Sequence, residues 1–185
     1  MQDNARIRAT YADLEAVPPN LVAEILDGQL VTHPRPTPRN LRSQSALGGK
    51  LYNTFDEGTG GPGGWWIIFE PELHFNADVT VPDIAGWRRE RMPEMPKTAY
   101  FTVAPDWICE VLSPSTFRYD RGEKRDIYAR HGVLHYWLCD PAERLVEAFD
   151  LVDDKWLLQR TFLDDETVAL APFEAAPFSL GKLWS

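Results

Sequence analysis

The chain has little cysteine, no long apolar run and no excess of positive charge, and each shortage removes a class of function. It carries two cysteines, Cys109 and Cys139, in 185 residues. Neither has a second Cys or His at ligand spacing, which argues against a zinc site. Both lie inside apolar stretches, where buried free thiols are the expected state in a reducing compartment. No apolar run approaches the ~20 residues of a membrane span. Met1 to Arg6 has no apolar core of a signal peptide, so a cytoplasmic location is expected. Lys and Arg number 19 against 28 Asp and Glu, a formal net charge of −9. That sign disfavours strong nonspecific binding to nucleic acid. Arg35, Arg39 and Arg42 cluster, as do Arg88, Arg89 and Arg91. Each group is either a local basic strip or an ordinary solvated face.

What is present fits one globular domain over residues 1–185, with an apolar fraction of 44% that supplies a core. Thr10 to Leu14 predicts a short helix with Thr10 as N-cap. Val22 to Leu26 and Gln29 to Thr32 predict strands joined at Asp27-Gly28, a hairpin signal. A proline-rich connector, His33 to Pro38, precedes an amphipathic helix from Asn40 to Phe55. After a glycine-rich loop, Trp65 to Phe69, Glu72 to Phe75 and Thr80 to Trp87 predict strands. Trp107 to Leu112 is apolar almost throughout, as in a central strand. Asp120 to His131 predicts a helix stopped by Gly132. Leu134 to Cys139 is a further strand. Arg144 to Leu151 and Lys155 to Phe162 form a hairpin turning at Asp153-Asp154. The tail from Pro172 to Ser185 is irregular and offers Phe178, Leu183 and Trp184 to the body.

Acids interrupt three of these strands. Alternate residues share a face, so Glu24 lies with Val22 and Leu26, Asp83 with Val81 and Ala85, and Glu110 with Ile108 and Leu112. A charge on an apolar face is costly unless it is paired, hydrogen-bonded or bound to a metal. Each acid alone could face solvent at an edge or bond backbone amides. Asp83 and Glu110 together, with Lys124 one loop later, point instead to a divalent-metal site for phosphoester hydrolysis. For Lys124 the alternative is an exposed helix pair with Asp120, and spacing does not separate the two. Other motifs are weaker. Gly48-Gly49-Lys50 lacks phosphate-loop spacing, Ser113 and Ser115 lack a nucleophile elbow, and Gly132 breaks any helical alignment of His131 with His135.

Ala23-Glu24-Ile25-Leu26-Asp27-Gly28, Val81-Pro82-Asp83, Glu110 to Thr116, Asp120 to Lys124, and Tyr136-Trp137-Leu138 with Asp140-Pro141 together resemble the Uma-two family. That family belongs to the restriction-endonuclease-like, PD-(D/E)XK superfamily. The resemblance implies an α/β (α+β) fold, a mixed β-sheet flanked by helices. It implies Mg²⁺ or Mn²⁺ at Asp83 and Glu110, with DNA as substrate and room for a homodimer. Glu24 would add a carboxylate, as a ligand or through a water, and Lys124 would orient the attacking water or stabilise charge. Two positions depart from the pattern. Leu112 stands where the superfamily's lysine usually follows the glutamate, and Asn40 stands where the family often has histidine. A silent nuclease-fold interaction module and a metal-free glycosidase using paired carboxylates are the competing readings.

Overall fold

The computed structural model describes residues 8–185, so the reading of Met1 to Arg6 falls outside it. The first element is α1 (Tyr11–Glu15), closed by a reciprocal box between Thr10 and Asp13 that satisfies its free N–H groups. Strands β1 (Leu21–Leu26) and β2 (Gln29–Pro34) form an antiparallel hairpin. At its turn Asp27 and Gly28 have φ of 50° and 76°, the left-handed pair that a two-residue hairpin turn requires. Helix α2 (Pro38–Leu51) starts two residues earlier than the sequence predicts. Thr37 caps it and Pro38 takes its first position, where a missing N–H costs nothing. A π-helical turn at Tyr52–Asp56 carries it through Phe55.

Next come β3 (Trp65–Phe69), β4 (Leu73–Phe75), β5 (Asp78–Thr80), β6 (Ile84–Arg88) and β7 (Trp107–Val111). The single strand expected from Thr80 to Trp87 is in fact divided. Strand β5 ends in a four-stranded sheet of order β2-β1-β5-β4, whereas β6 belongs to the larger sheet. Pro82 has no N–H to give a ladder, so the chain changes sheets at Val81-Pro82-Asp83.

Helices α3 (Phe117–Arg121) and α4 (Glu123–Arg130) replace the single helix expected from Asp120 to His131. The main chain leaves helical values at Gly122 (φ −118°, ψ −106°). Strands β8 (His135–Asp140), β9 (Leu145–Val152) and β10 (Lys155–Leu163) follow. The β9–β10 turn has Asp153 and Asp154 at φ of 48° and 58°, as its sequence predicts. The tail is more regular than expected: β11 (Thr167–Val168) pairs with β12 (Phe178–Ser179), and a 3₁₀ turn covers Leu180–Leu183.

The larger sheet is six-stranded and mixed, in the order β10-β9-β8-β7-β6-β3. Within it β7 and β8 are parallel, so the chain must cross over between them, and α3 and α4 make that crossing. Alternation along the strands fills two cores. One face carries Ile84, Trp107, Cys109, Val111, Trp137 and Cys139, covered by Leu47, Leu51 and Phe55 of the α2 region and by Phe173, Phe178 and Leu183 of the tail. The other face carries Ala85, Trp87, Ile108, Leu112, Tyr136 and Leu138, covered by Ile127 and Tyr128 of α4 and by Leu26, Leu73 and Phe75 of the smaller sheet. Both cysteines are buried free thiols. Among the described residues no helix is long and apolar enough to cross a membrane.

The break at Gly122 sets where α4 begins. A Cβ at Gly122 would stand 2.9 Å from the Arg118 carbonyl oxygen, a main-chain atom with little room to move. Gly122→Ala should therefore cost about 1–3 kcal/mol of unfolding free energy. A urea melt reads this directly, and an unchanged midpoint would show that the junction accepts a methyl group.

Candidate active site

The sheet change at Val81-Pro82-Asp83 leaves main-chain groups that no ladder satisfies, and the acids take them up. Glu24 Oε1 accepts from the Val81 N–H at 2.8 Å, and Glu110 Oε2 from the Asp83 N–H at 3.3 Å. In return Asp83 Oδ2 accepts from the Val111 N–H at 2.7 Å. Strand β6 pairs with β7 through Ile84 opposite Cys109. One step further along that register Asp83 faces Glu110, so the two acids meet on one side of the sheet. Gln44 and Asn40 of α2 secure the surrounding main chain. Gln44 donates to the Asp83 carbonyl at 2.8 Å, and Asn40 Nδ2 donates to the Leu112 and Val111 carbonyls at 2.8 Å and 3.3 Å.

Lys124, on the first turn of α4, enters this group from the opposite side. Its Nζ is 2.8 Å from Glu110 Oε1, 3.1 Å from Glu24 Oε1 and 3.5 Å from Asp120 Oδ1. Its side chain is 3% exposed, so it is not the surface partner of Asp120 that helical spacing allowed. Nor does Glu24 face solvent at an edge: β1 lies inside its sheet between β2 and β5. The Tyr128 hydroxyl donates to Glu110 Oε1 at 2.7 Å, and His33 Nε2 lies 3.3 Å from Glu24 Oε2. The structure thus brings Glu24, Asp83, Glu110 and Lys124 into one cluster.

Four carboxyl groups, counting Asp120, share one ammonium, so negative charge is in excess. Loss of water contact pushes Asp83 up to about 7. Burial, then the neighbouring charges of Asp120, Asp83 and Glu24, carry Glu110 well above the usual carboxyl range against the pull of Lys124. Burial also raises Asp120. Glu24 goes the other way: burial works against its charge, but Lys124, His33 and the Val81 N–H outweigh it and hold it below its ordinary value. Burial disfavours the Lys124 ammonium too, yet Glu110 and Glu24 keep it firmly protonated. His33 is raised, since Glu24 more than offsets its burial.

Asp83, Glu110, Asp120 and Lys124 line a small cavity of about 70 Å³ that opens to solvent, together with His33, Arg35, Asn40 and Glu70. Among the described residues no three His, Cys, Asp or Glu side chains are grouped so as to enclose an ion. The donor set nevertheless fits a hard divalent cation. Asp83 and Glu110 present only oxygen, and Asp120 Oδ1, 3.5 Å from Lys124 Nζ, is buried without a hydrogen-bond partner. Mg²⁺ is commonly held by one or two carboxylates while keeping several waters.

Tyr128, Gln44 and His33 were not singled out by sequence reasoning. Tyr128 reads as an apolar helix residue, but it lies four residues after Lys124, one turn along the same helix face. Gln44 stands four residues after Asn40 in the same way. His33 carries no such signal, because its approach to Glu24 depends on the hairpin register that sets Val22 opposite it.

A family model for Uma2, described as "Putative restriction endonuclease", matches residues 8–180. Among solved structures, the chain is similar to a "putative nuclease belonging to DUF820" from Anabaena variabilis. Identity is 22%, the TM-score is 0.76, and the match covers 95% of this chain and 97% of that one. At that identity the likeness bears on the fold, which is the nuclease-like mixed sheet that the sequence implies. No curated protein matches.

The raised carboxyl groups set the direction of pH dependence. Asp83, Glu110 and Asp120 hold protons more tightly folded than unfolded. The stability they confer is complete below the unfolded value, ~3.9 for Asp, and is lost as pH rises through the folded value, about 7 for Asp83. Glu24 acts in the opposite sense, but its contribution is lost only as pH falls through its lowered value, below this window. In metal-free buffer the unfolding free energy should therefore decline from about pH 5 to about pH 8. Asp83→Asn should flatten the decline. Urea melts across that range measure it, and stability that rises with pH would contradict the charge distribution described.

Proposed function

The chain belongs to the Uma2 family, and on that premise we propose that it is a divalent-metal-dependent endonuclease that hydrolyses DNA phosphodiester bonds. The observation that carries this reading is the reciprocal clasp of Asp83 and Glu110, each accepting from main chain beside the other, with a buried ammonium 2.8 Å from Glu110. Two facing acids and one adjacent lysine lining an open cavity suit a phosphate: the acids would hold a cation and the lysine would meet developing negative charge. Asp83 and Glu110 would be the metal-holding residues, with Mg²⁺ or Mn²⁺ as the hard ions that suit oxygen donors. Such an ion, when bound, polarises a phosphoryl oxygen and eases deprotonation of water.

The remaining residues have roles that follow from their contacts. Lys124 keeps three donor hydrogens, and its position between Glu24 and Glu110 fixes where they point. Glu24 holds that ammonium and closes the Val81 end of the sheet change. Tyr128, donating to Glu110 Oε1, fixes the orientation of the carboxylate. Asn40 spends its amide on the Val111 and Leu112 carbonyls, so it acts as a brace for the end of β7, a task that does not need an acid or base. That weakens the case for a silent module built on the missing histidine. We further propose that residues 1–185 work as one domain in the cytoplasm, a reducing setting that suits two buried free thiols.

The test is cleavage of duplex and single-stranded DNA at low salt with Mg²⁺ or Mn²⁺. Lys124→Ala should lower the rate on the order of 10²–10³, the scale for removing one charge-stabilising donor. Lys124→Arg keeps the charge but not the reach, so it should restore the fold better than the rate. In parallel melts, metal should raise the wild-type midpoint by binding linkage and leave Asp83→Asn unmoved. A wild type inert toward every DNA form, with no metal-dependent shift, would leave the silent interaction module as the better reading.

A further inference from the structure

Among the described residues, most arginines are engaged within the molecule. Arg89 pairs with Asp56 and lies over Trp66, Arg88 lies over Trp65, and Arg91 pairs with Asp106. Arg130 pairs with Asp27 and Asp78, Arg144 with Asp164, and Arg160 with Glu166. The sequence cluster Arg88, Arg89 and Arg91 is thus structural. Arg35, Arg39 and Arg42 are different. All three are exposed, and among the described residues none has a carboxylate or aromatic partner; Arg35 donates only to the Pro19 carbonyl.

Arg35 belongs to the lining of the candidate site, and Arg39 and Arg42 belong to the helix that supplies Asn40 to it. Arg39 and Arg42 are three apart on α2, so they share a face, and it is the face turned away from the buried Asn40, Ser43, Gln44 and Leu47. Their placement is unfavourable for the helix. The first turn of α2 has no acid and carries Arg39 instead, cationic charge at the end where the peptide dipoles already present positive potential. No acid in that turn offsets the potential, and the chain as a whole is strongly acidic. A polyanion approaching the cavity would find local positive charge here, on an otherwise repulsive molecule.

We propose that Arg35, Arg39 and Arg42 form the docking strip for the phosphate backbone of the DNA strand flanking the cavity. This deepens the nuclease reading and rests on it. Over the three residues from Arg39 to Arg42 an α-helix advances about 4.5 Å, and flexible side chains of that spacing can reach neighbouring phosphates. Contacts of this type fix position on the strand and carry no sequence preference.

The experiment is DNA binding by fluorescence anisotropy in chelator, where no cleavage competes, over a series of salt concentrations. The test variant is Arg39→Gln with Arg42→Gln. A control variant, Arg144→Gln with Arg160→Gln, removes the same charge from arginines already paired on the β9–β10 side. The test variant should lose at least about tenfold in affinity, and its slope of log K against log salt should fall by about 2. The control should keep the wild-type slope. The test variant's melting midpoint should not fall, since both arginines are exposed at a helix end that disfavours them. Equal slopes for wild type and test variant, or equal losses in both variants, would overturn the strip while leaving wild-type cleavage, and so the nuclease reading, intact. A wild type that neither binds nor cleaves DNA would overturn both.

Discussion

The molecule depends most on one buried cation. Lys124 reaches Glu24 from the smaller sheet, Glu110 from the larger sheet and Asp120 from the helix before its own. Carboxylates buried this deeply repel one another and resist desolvation, and the positive charge among them offsets that cost at this junction. The ammonium is what lets two sheets and two helices meet around polar groups. The same contacts bind the lysine to one place. Architecture and candidate chemistry therefore draw on the same atoms.

The Val81-Pro82-Asp83 step completes that arrangement. A proline between sheets leaves one N–H on each side without a ladder partner, and Glu24 and Glu110 each accept one of them. The carboxylates of Glu24 and Glu110 are thereby held in place by the main chain. Buried polar groups are tolerated when they are hydrogen-bonded, and here the hydrogen bonds also aim the side chains. Asn40, Gln44 and Tyr128 extend the support outward from α2 and α4, so the cluster rests on rigid elements on every side.

Much of this was legible in the sequence wherever a local rule acted alone. Asp27-Gly28 and Asp153-Asp154 turn as their preference for left-handed backbone dictates, and Thr10 caps its helix as its side chain favours. The three acids were visible because each interrupts an apolar alternation. The readings that failed are those where tertiary structure overrides a local pattern. Thr80 to Trp87 looks like one strand, because nothing in its alternation signals that its two halves belong to different sheets. Asp120 to His131 looks like one helix, because Gly122 is tolerated inside a helical pattern. His33 joined the cluster without warning, since its approach follows from hairpin register, and Asp120 was legible only as a surface partner of Lys124, since its burial follows from the α3–α4 junction.

The crossover between β7 and β8 has a consequence for recognising relatives. Because these two strands are parallel, the chain must leave the end of β7 and pass back over the sheet, and α4 lies on that return path directly above Glu110. An ammonium can arrive at the glutamate from the crossing helix as readily as from the strand itself. Spatial position, not distance along the chain, is what the geometry holds constant. A pattern demanding lysine two residues beyond the glutamate meets Leu112 here and passes over the chain, although Lys124 Nζ stands 2.8 Å from the carboxylate.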